Sequence, residues 1–145
     1  VANFTDPSEK FQIGKGLLLN EGSDVTIVAT GHLVWESIQA AEKLHENGVN
    51  AEIINIHTIK PLDEDIILNS VNKTGCLVSA EEHNIIGGLG ESIAGVLVKN
   101  NLVPMEFVGV EDSFGESGTP AQLMEKYGLS SKKIYEKCKR VILRK

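Results

Sequence analysis

The stretch Leu77–Leu97, LVSAEEHNIIGGLGESIAGVL, decides how the chain folds. Leu77, Val78 and Ala80 are apolar with Ser79 between them, which predicts a short buried strand. Glu81, Glu82 and His83 place three ionisable groups at its carboxyl end. Gly87, Gly88 and Gly90 then let the backbone turn tightly into a helix with Ile93, Ala94, Leu97 and Val98 on one face. In open α/β sheets, sites gather at the carboxyl ends of strands, so a site is expected in this segment.

Upstream, Asp24–Thr30 and Asn50–Ile59 are two further strong strands. Gly31 breaks the first, and a helix is predicted from about Leu33 to Asn47, with Leu33, Ile38, Ala41 and Leu44 inward. Gly48 is placed to cap that helix. Lys60-Pro61 ends the second strand, and Asp63 can cap the next helix, with Glu64 and Asp65 in its first turn. Ile13–Leu19 is a weaker strand carrying two glycines. Asn20-Glu21-Gly22 turns it so directly into the Asp24 strand that an antiparallel neighbour is expected.

Downstream, the helix closes near Asn100 and Asn101, and Met105–Val110 makes another strand. Thr119, Pro120 and Gln122 mark a helix start, Gly128 its end, and Ser130 the start of a last helix. Four strands alternating with helices predict a parallel sheet with right-handed crossovers. With the first strand antiparallel at an edge, the expected fold is a three-layer α/β/α arrangement around a five-stranded mixed sheet.

A length of 145 residues with 41% apolar content suits one domain. A formal net charge of −6 argues against a nucleic-acid partner. No apolar run is long enough for a membrane span, and a cytoplasmic location is expected. The basic cluster from Lys132 to Lys145 reads as a solvated helix face, with a local anion or subunit contact as the alternative. Cys76 and Cys138 lack metal spacing and read as reduced thiols. Residues 1–12, polar and containing Asp6-Pro7, read as a linker from an upstream domain, which leaves 13–145 as the domain itself.

The chemistry on offer is limited. Unsatisfied N–H groups at the start of the helix after Gly87, Gly88 and Gly90 could receive an anion. Gly88-x-Gly90 also approaches a dinucleotide fingerprint, with Glu111 about twenty residues on, but Ile93 stands at the third glycine. The competing reading is close backbone packing that only glycine permits. Neighbours on an extended chain point to opposite sides, so Glu81 and His83 share a face and Glu82 takes the other. Paired carboxylates near an imidazole can move protons. Equally, one carboxylate can accept backbone N–H bonds from a neighbouring loop while His83 pairs across a subunit interface. His32, at the head of a helix, could donate to a phosphate or be an ordinary surface residue. His57 reads as a packed strand histidine and His45 as an outward helix residue. The histidines lack metal-site spacing, and no nucleophile elbow or P-loop is present.

Four segments resemble the C-terminal domain of transketolase-type, thiamine-diphosphate enzymes. They are DVTIVATG (Asp24–Gly31), INIHTIKPLDEDII (Ile54–Ile67), EEHNIIGGLGES (Glu81–Ser92) and FGESGTPAQLMEKYGL (Phe114–Leu129). Their order and spacing match, and the resemblance is strongest to bacterial and archaeal forms split into two subunits. It implies a parent enzyme that moves a two-carbon ketol unit between sugar phosphates. Thiamine diphosphate and magnesium would be held by domains preceding this one, together with the cofactor-activating glutamate, and no cofactor by this chain. It also implies upstream domains or an upstream subunit as partner, and a homodimer of the full assembly. Deoxyxylulose-phosphate synthase and the β-subunits of 2-oxo-acid dehydrogenases share the domain; the Phe114–Leu129 segment favours transketolase. The alternative from another class is a free-standing regulatory module that binds a nucleotide or sugar phosphate at the strand ends.

Overall fold

Two runs, Val25–Ala29 (β2) and Ala51–Asn55 (β3), are buried at every position, as parallel strands covered by helices on both faces require. They form the middle of the sheet in a computed structural model that describes residues 13–110, 122 and 129–145. The remaining strands are β1 (Leu17–Asn20), β4 (Leu77–Asn84) and β5 (Met105–Val110). The sheet order is β1-β3-β2-β4-β5. β1 runs antiparallel to β3, and the other pairs are parallel. The five-stranded mixed sheet with one antiparallel edge is the architecture the sequence predicts.

The described helices are α1 (Leu33–Glu46), α2 (Glu64–Thr74), α3 (Leu89–Asn100) and α4 (Ser131–Ile142). Strand alternation divides the core between two faces. Val25, Ile27, Ile53, Val78 and Ala80 pack with Leu33 and Leu44 of α1 and with Ile134, Cys138 and Val141 of α4. Val28, Ile54 and Leu77 pack with Ile67 and Val71 of α2 and with Leu89, Ile93 and Leu97 of α3. The caps follow the local sequence. Asp63 accepts the Ile66 amide, Gly75 closes α2 in the left-handed region, and Gly48 follows α1 with φ +80°.

Several boundaries differ from the sequence expectation. β1 pairs with β3, not with the strand that follows it, because parallel partners take both edges of β2. The connection from β1 to β2 therefore passes the amino end of β3. A Cβ on Gly22 would lie 2.4 Å from the Ala51 carbonyl carbon, so only glycine fits there. β3 stops at Asn55, where Ile56 N makes the last bond to Ala29 O of β2, and His57 lies in an exposed bend. α3 turns Leu89, Gly90, Ile93, Val96 and Leu97 inward; Val98, expected inside, is 71% exposed. Val98 sits about 100° beyond Leu97 around the helix. The expected helix from Thr119 to Gly128 lies outside the described residues, apart from Gln122, which is helical.

Buried polar groups tie the layers together. Thr26 Oγ1 on β2 bonds Ser70 at 2.6 Å and Thr74 at 2.7 Å, both on α2. Glu52 on β3 is 3% exposed and takes the Lys73 ammonium from α2 and the Gly22 amide. The basic C-terminal cluster is also partly engaged. Lys137 and Arg144 both reach Glu106, and Lys145 Nζ donates to Asp24 O and Thr74 O. Cys76 and Cys138 are free and buried. Burial pushes both thiols up, which keeps them protonated near neutral pH.

Glu52 titrates below the usual carboxylate value. Burial alone would raise it, but bonds from Lys73, Ser70 and Gly22, with the Lys73 charge, outweigh that and lower it. A lowered folded value means the stabilisation is present above the unfolded value of 4.5 and is lost as pH falls through the folded one. Glu52→Gln is expected to cost about 1–3 kcal/mol at pH 7. The gap to wild type should narrow below about pH 4 in urea titrations. A gap that is constant with pH contradicts the assignment. Gly90→Ala is expected to cost about 1–3 kcal/mol by overpacking, because its Cβ would lie 2.5 Å from the Phe107 ring and 2.8 Å from Ser79 Oγ. A urea midpoint equal to wild type sinks that claim.

Candidate strand-end site and family

β4 extends past Ala80 to Asn84, so the acidic pair lies on extended backbone in the carboxyl-terminal half of the strand. Asn84 pairs with Val110 after a shift in register, and Ile85 N bonds Val110 O. Extended backbone sends Glu81 and Glu82 to opposite faces. Each carboxylate meets the start of a different helix.

Glu81 is fully buried on the α2–α3 face. Its Oε1 accepts the Leu89 amide and its Oε2 the Gly90 amide, both at 2.8 Å. One side chain thus satisfies two of the orphan donors at the head of α3 and lies at the positive end of the helix dipole. α3 has no side-chain cap from its own N-cap residue, Gly88. The three loop glycines differ in what they do. Gly87 takes φ +77°, which glycine adopts freely. Gly90 lies against Phe107 and Ser79. Gly88 is extended, at φ −99° and ψ −161°, a conformation open to other residues. Ser79 Oγ is buried beneath Gly90 and has no hydrogen-bond partner among the described residues.

Glu82 is exposed on the opposite face. Its Oε1 accepts the His32 amide at 2.9 Å, at the head of α1. Gly31 takes φ +59°, and a Cβ built on it would lie 3.6 Å from Glu82 Oε1, an ordinary contact. His32 makes no side-chain cap bond, so its contact with the acidic pair runs through the backbone. The backbone of His83 continues β4. The structure brings together His32, Glu81, Glu82, Gly88 and Gly90 at one end of the sheet, as two carboxylate-to-helix contacts. Sequence reasoning missed Ser79 and Phe107, which fix Gly90. The signal available in the sequence was the strand period that puts Ser79 in step with Glu81 on β4; Phe107 pairs with Ser79 from β5.

His45, exposed on α1, meets Asn50 Oδ1 through Nδ1 at 2.9 Å. It lines a groove of about 430 Å³ with Leu19, Ile38, Ala41 and Ile53, at the end of α1 away from His32. Among the described residues, no group of three or more His, Cys, Asp or Glu could hold a metal ion. No described helix is long and apolar enough to cross a membrane.

Comparison with known proteins places this geometry. Residues 14–134 match the family model described as transketolase, C-terminal domain. The chain is 48% identical over 138 residues to the 6-deoxy-6-sulfo-D-fructose transketolase subunit SqwH of Clostridium sp. (strain MSTE9), covering 95% of this chain and 43% of that one. It is 38% identical over 130 residues to 1-deoxy-D-xylulose-5-phosphate synthase of Trichormus variabilis, covering 89% of this chain and 20% of the relative. A solved split gene transketolase, in an inactive β4 tetramer, superposes with a TM-score of 0.95 at 39% identity. That match covers 99% of this chain and 47% of the solved one. The chain thus spans less than half the length of these relatives. With a matched model across most of its length and the same sheet topology, the chain belongs to the transketolase C-terminal domain family.

Proposed function

We propose that this chain is the C-terminal part of a transketolase-like enzyme that transfers a two-carbon ketol unit between sugar phosphates. In this reading it serves assembly, and the cofactor chemistry is done elsewhere. Thiamine diphosphate and magnesium belong to an upstream part, joined through residues 1–12 or supplied as a separate subunit, in a cytoplasmic homodimeric assembly. The observation that carries the reading is the double occupation of the helix starts. Glu81 takes the Leu89 and Gly90 amides of α3, and Glu82 takes the amide of His32, the N-cap of α1. A diphosphate approaching these strand ends meets two carboxylates in place of free N–H groups. The described residues therefore do not fit thiamine diphosphate, and we assign no step to them.

The same observation weighs against a free-standing module that binds a nucleotide or sugar phosphate. A deoxyxylulose-phosphate synthase context has a relative behind it, at lower identity than the transketolase subunit. The sulfo-sugar named for that subunit makes a ketose with a terminal anion, phosphate or sulfonate, the donor to test.

Calorimetry of the chain with thiamine diphosphate and magnesium is expected to give only heats of dilution. Ketol transfer from fructose 6-phosphate or 6-deoxy-6-sulfo-D-fructose should appear only beside the upstream cofactor-binding part. A low-micromolar dissociation constant for the cofactor, or activity of the chain alone, overturns the proposal. Glu81→Ala should leave two buried amides without partners and cost about 2–4 kcal/mol of stability. Glu81→Gln keeps one acceptor and should cost less. A Glu81→Ala protein that keeps its urea midpoint but loses ketol transfer would move Glu81 from the scaffold into the active site.

A further inference from the structure

α1 and α4 share one face of the sheet, and α4 packs over β4 and β5. Among the described helices, α1 is left to cover the β3–β1 edge. It leaves Leu19 of β1 and its own Ile38 only partly buried at the rim of the core. With Ala41 and Ile53 they form the apolar wall of the groove of about 430 Å³ beside His45. That volume is in the range of small-molecule sites, which pair an apolar wall with a few placed polar groups.

The polar groups of the rim indicate the ligand. Glu21 and Glu42 line the groove, and neither carboxylate has an ion-pair partner among the described residues. Asn50 Oδ1 is an acceptor, so His45 Nδ1, which meets it at 2.9 Å, carries the proton. The neutral ring then presents Nε2 as a lone pair. Asn20 donates through Nδ2 to Ala51 O at 2.8 Å, which leaves its own side-chain oxygen as a further acceptor. The Asn50 NH2 is the uncommitted donor beside them. No lysine or arginine lines the groove, and Lys43, next to Glu42 in sequence, stacks on Tyr135 of α4 instead. The groove also follows the last turns of α1, at the negative end of the helix dipole. We propose that it binds a small organic cation: an apolar body against Leu19, Ile38, Ala41 and Ile53, with a protonated amine directed to Glu21 and Glu42. An anion placed there would meet two unpaired carboxylates. The groove lies at the amino end of β3 and shares no group with the Glu81 and Glu82 contacts, so the proposal stands apart from the ketol-transfer reading.

Amide NMR titration of the chain tests it with tryptamine, tryptophol and indole-3-acetate, which share one ring and differ in carrying a cation, a neutral hydroxyl or an anion. Tryptamine is expected to saturate with a dissociation constant below about 1 mM. Tryptophol should bind at least about tenfold more weakly, and indole-3-acetate more weakly still. The shifted amides should centre on Leu19, Glu42 and His45. A variant carrying both Glu21→Gln and Glu42→Gln changes two exposed residues and should keep the wild-type urea midpoint. It should lose about tenfold in tryptamine affinity and bind tryptophol as wild type does. Each single variant should lose about threefold. Equal affinity for the three probes, no saturation by tryptamine at about 5 mM, or shifts centred elsewhere each overturn the proposal. So does a folded double variant, or a folded single one, that binds tryptamine like wild type. Loss of ketol transfer from the full assembly with tryptamine binding intact counts against the proposed function and leaves this groove assigned.

Discussion

The fold hangs on one buried carboxylate. Glu81 sits at 0% exposure in β4 and receives two amides at the head of α3. A carboxyl group there would be costly without partners, and so would the first N–H groups of a helix. Each cancels the cost of the other. The bond also fixes the connection between β4 and α3, because Leu89 fills the core at the same turn. Gly90 must then lie directly against Phe107 of β5 and Ser79 of β4. Strand, helix and edge strand thus share one point of contact.

Glu82 repeats the arrangement on the other face with less burial, holding the His32 amide at the head of α1. Adjacent acids on one strand therefore connect the helix layers on both sides of the sheet. Farther along the strands, polar contacts play the same part through Thr26, Ser70 and Thr74 between β2 and α2. The C-terminal lysine closes the opposite end of the sheet, from Lys145 to Asp24 O and Thr74 O. A domain built this way has carboxylates already bonded to amides at the two helix starts beside the carboxyl end of β4.

Much of this was legible in the sequence. Strong strands read from β-branched runs, and Met105–Val110 matched without correction. Caps at Asp63 and Ser130 and the turn at Gly48 read from residue chemistry that acts within a few residues. The period of two along β4 put Glu81 and Glu82 on opposite faces before any coordinates.

What sequence alone determined is local: where strands and helices form, which residues cap them, and that parallel strands alternate with helices. The tertiary structure decided what depends on partners distant in sequence. It set β1 beside β3, because β2 has only two edges and both were taken. It ended β3 at Asn55, where its neighbour ends, and left His57 exposed. It also chose which glycines are obligatory. Gly22 and Gly90 show no sign of crowding in the chain itself and are forced only by Ala51 and Phe107, packed against them from other elements. The contact of Glu82 with the His32 amide and the outward turn of Val98 likewise exist only once the sheet order and helix rotation are set, because packing of distant residues fixes both.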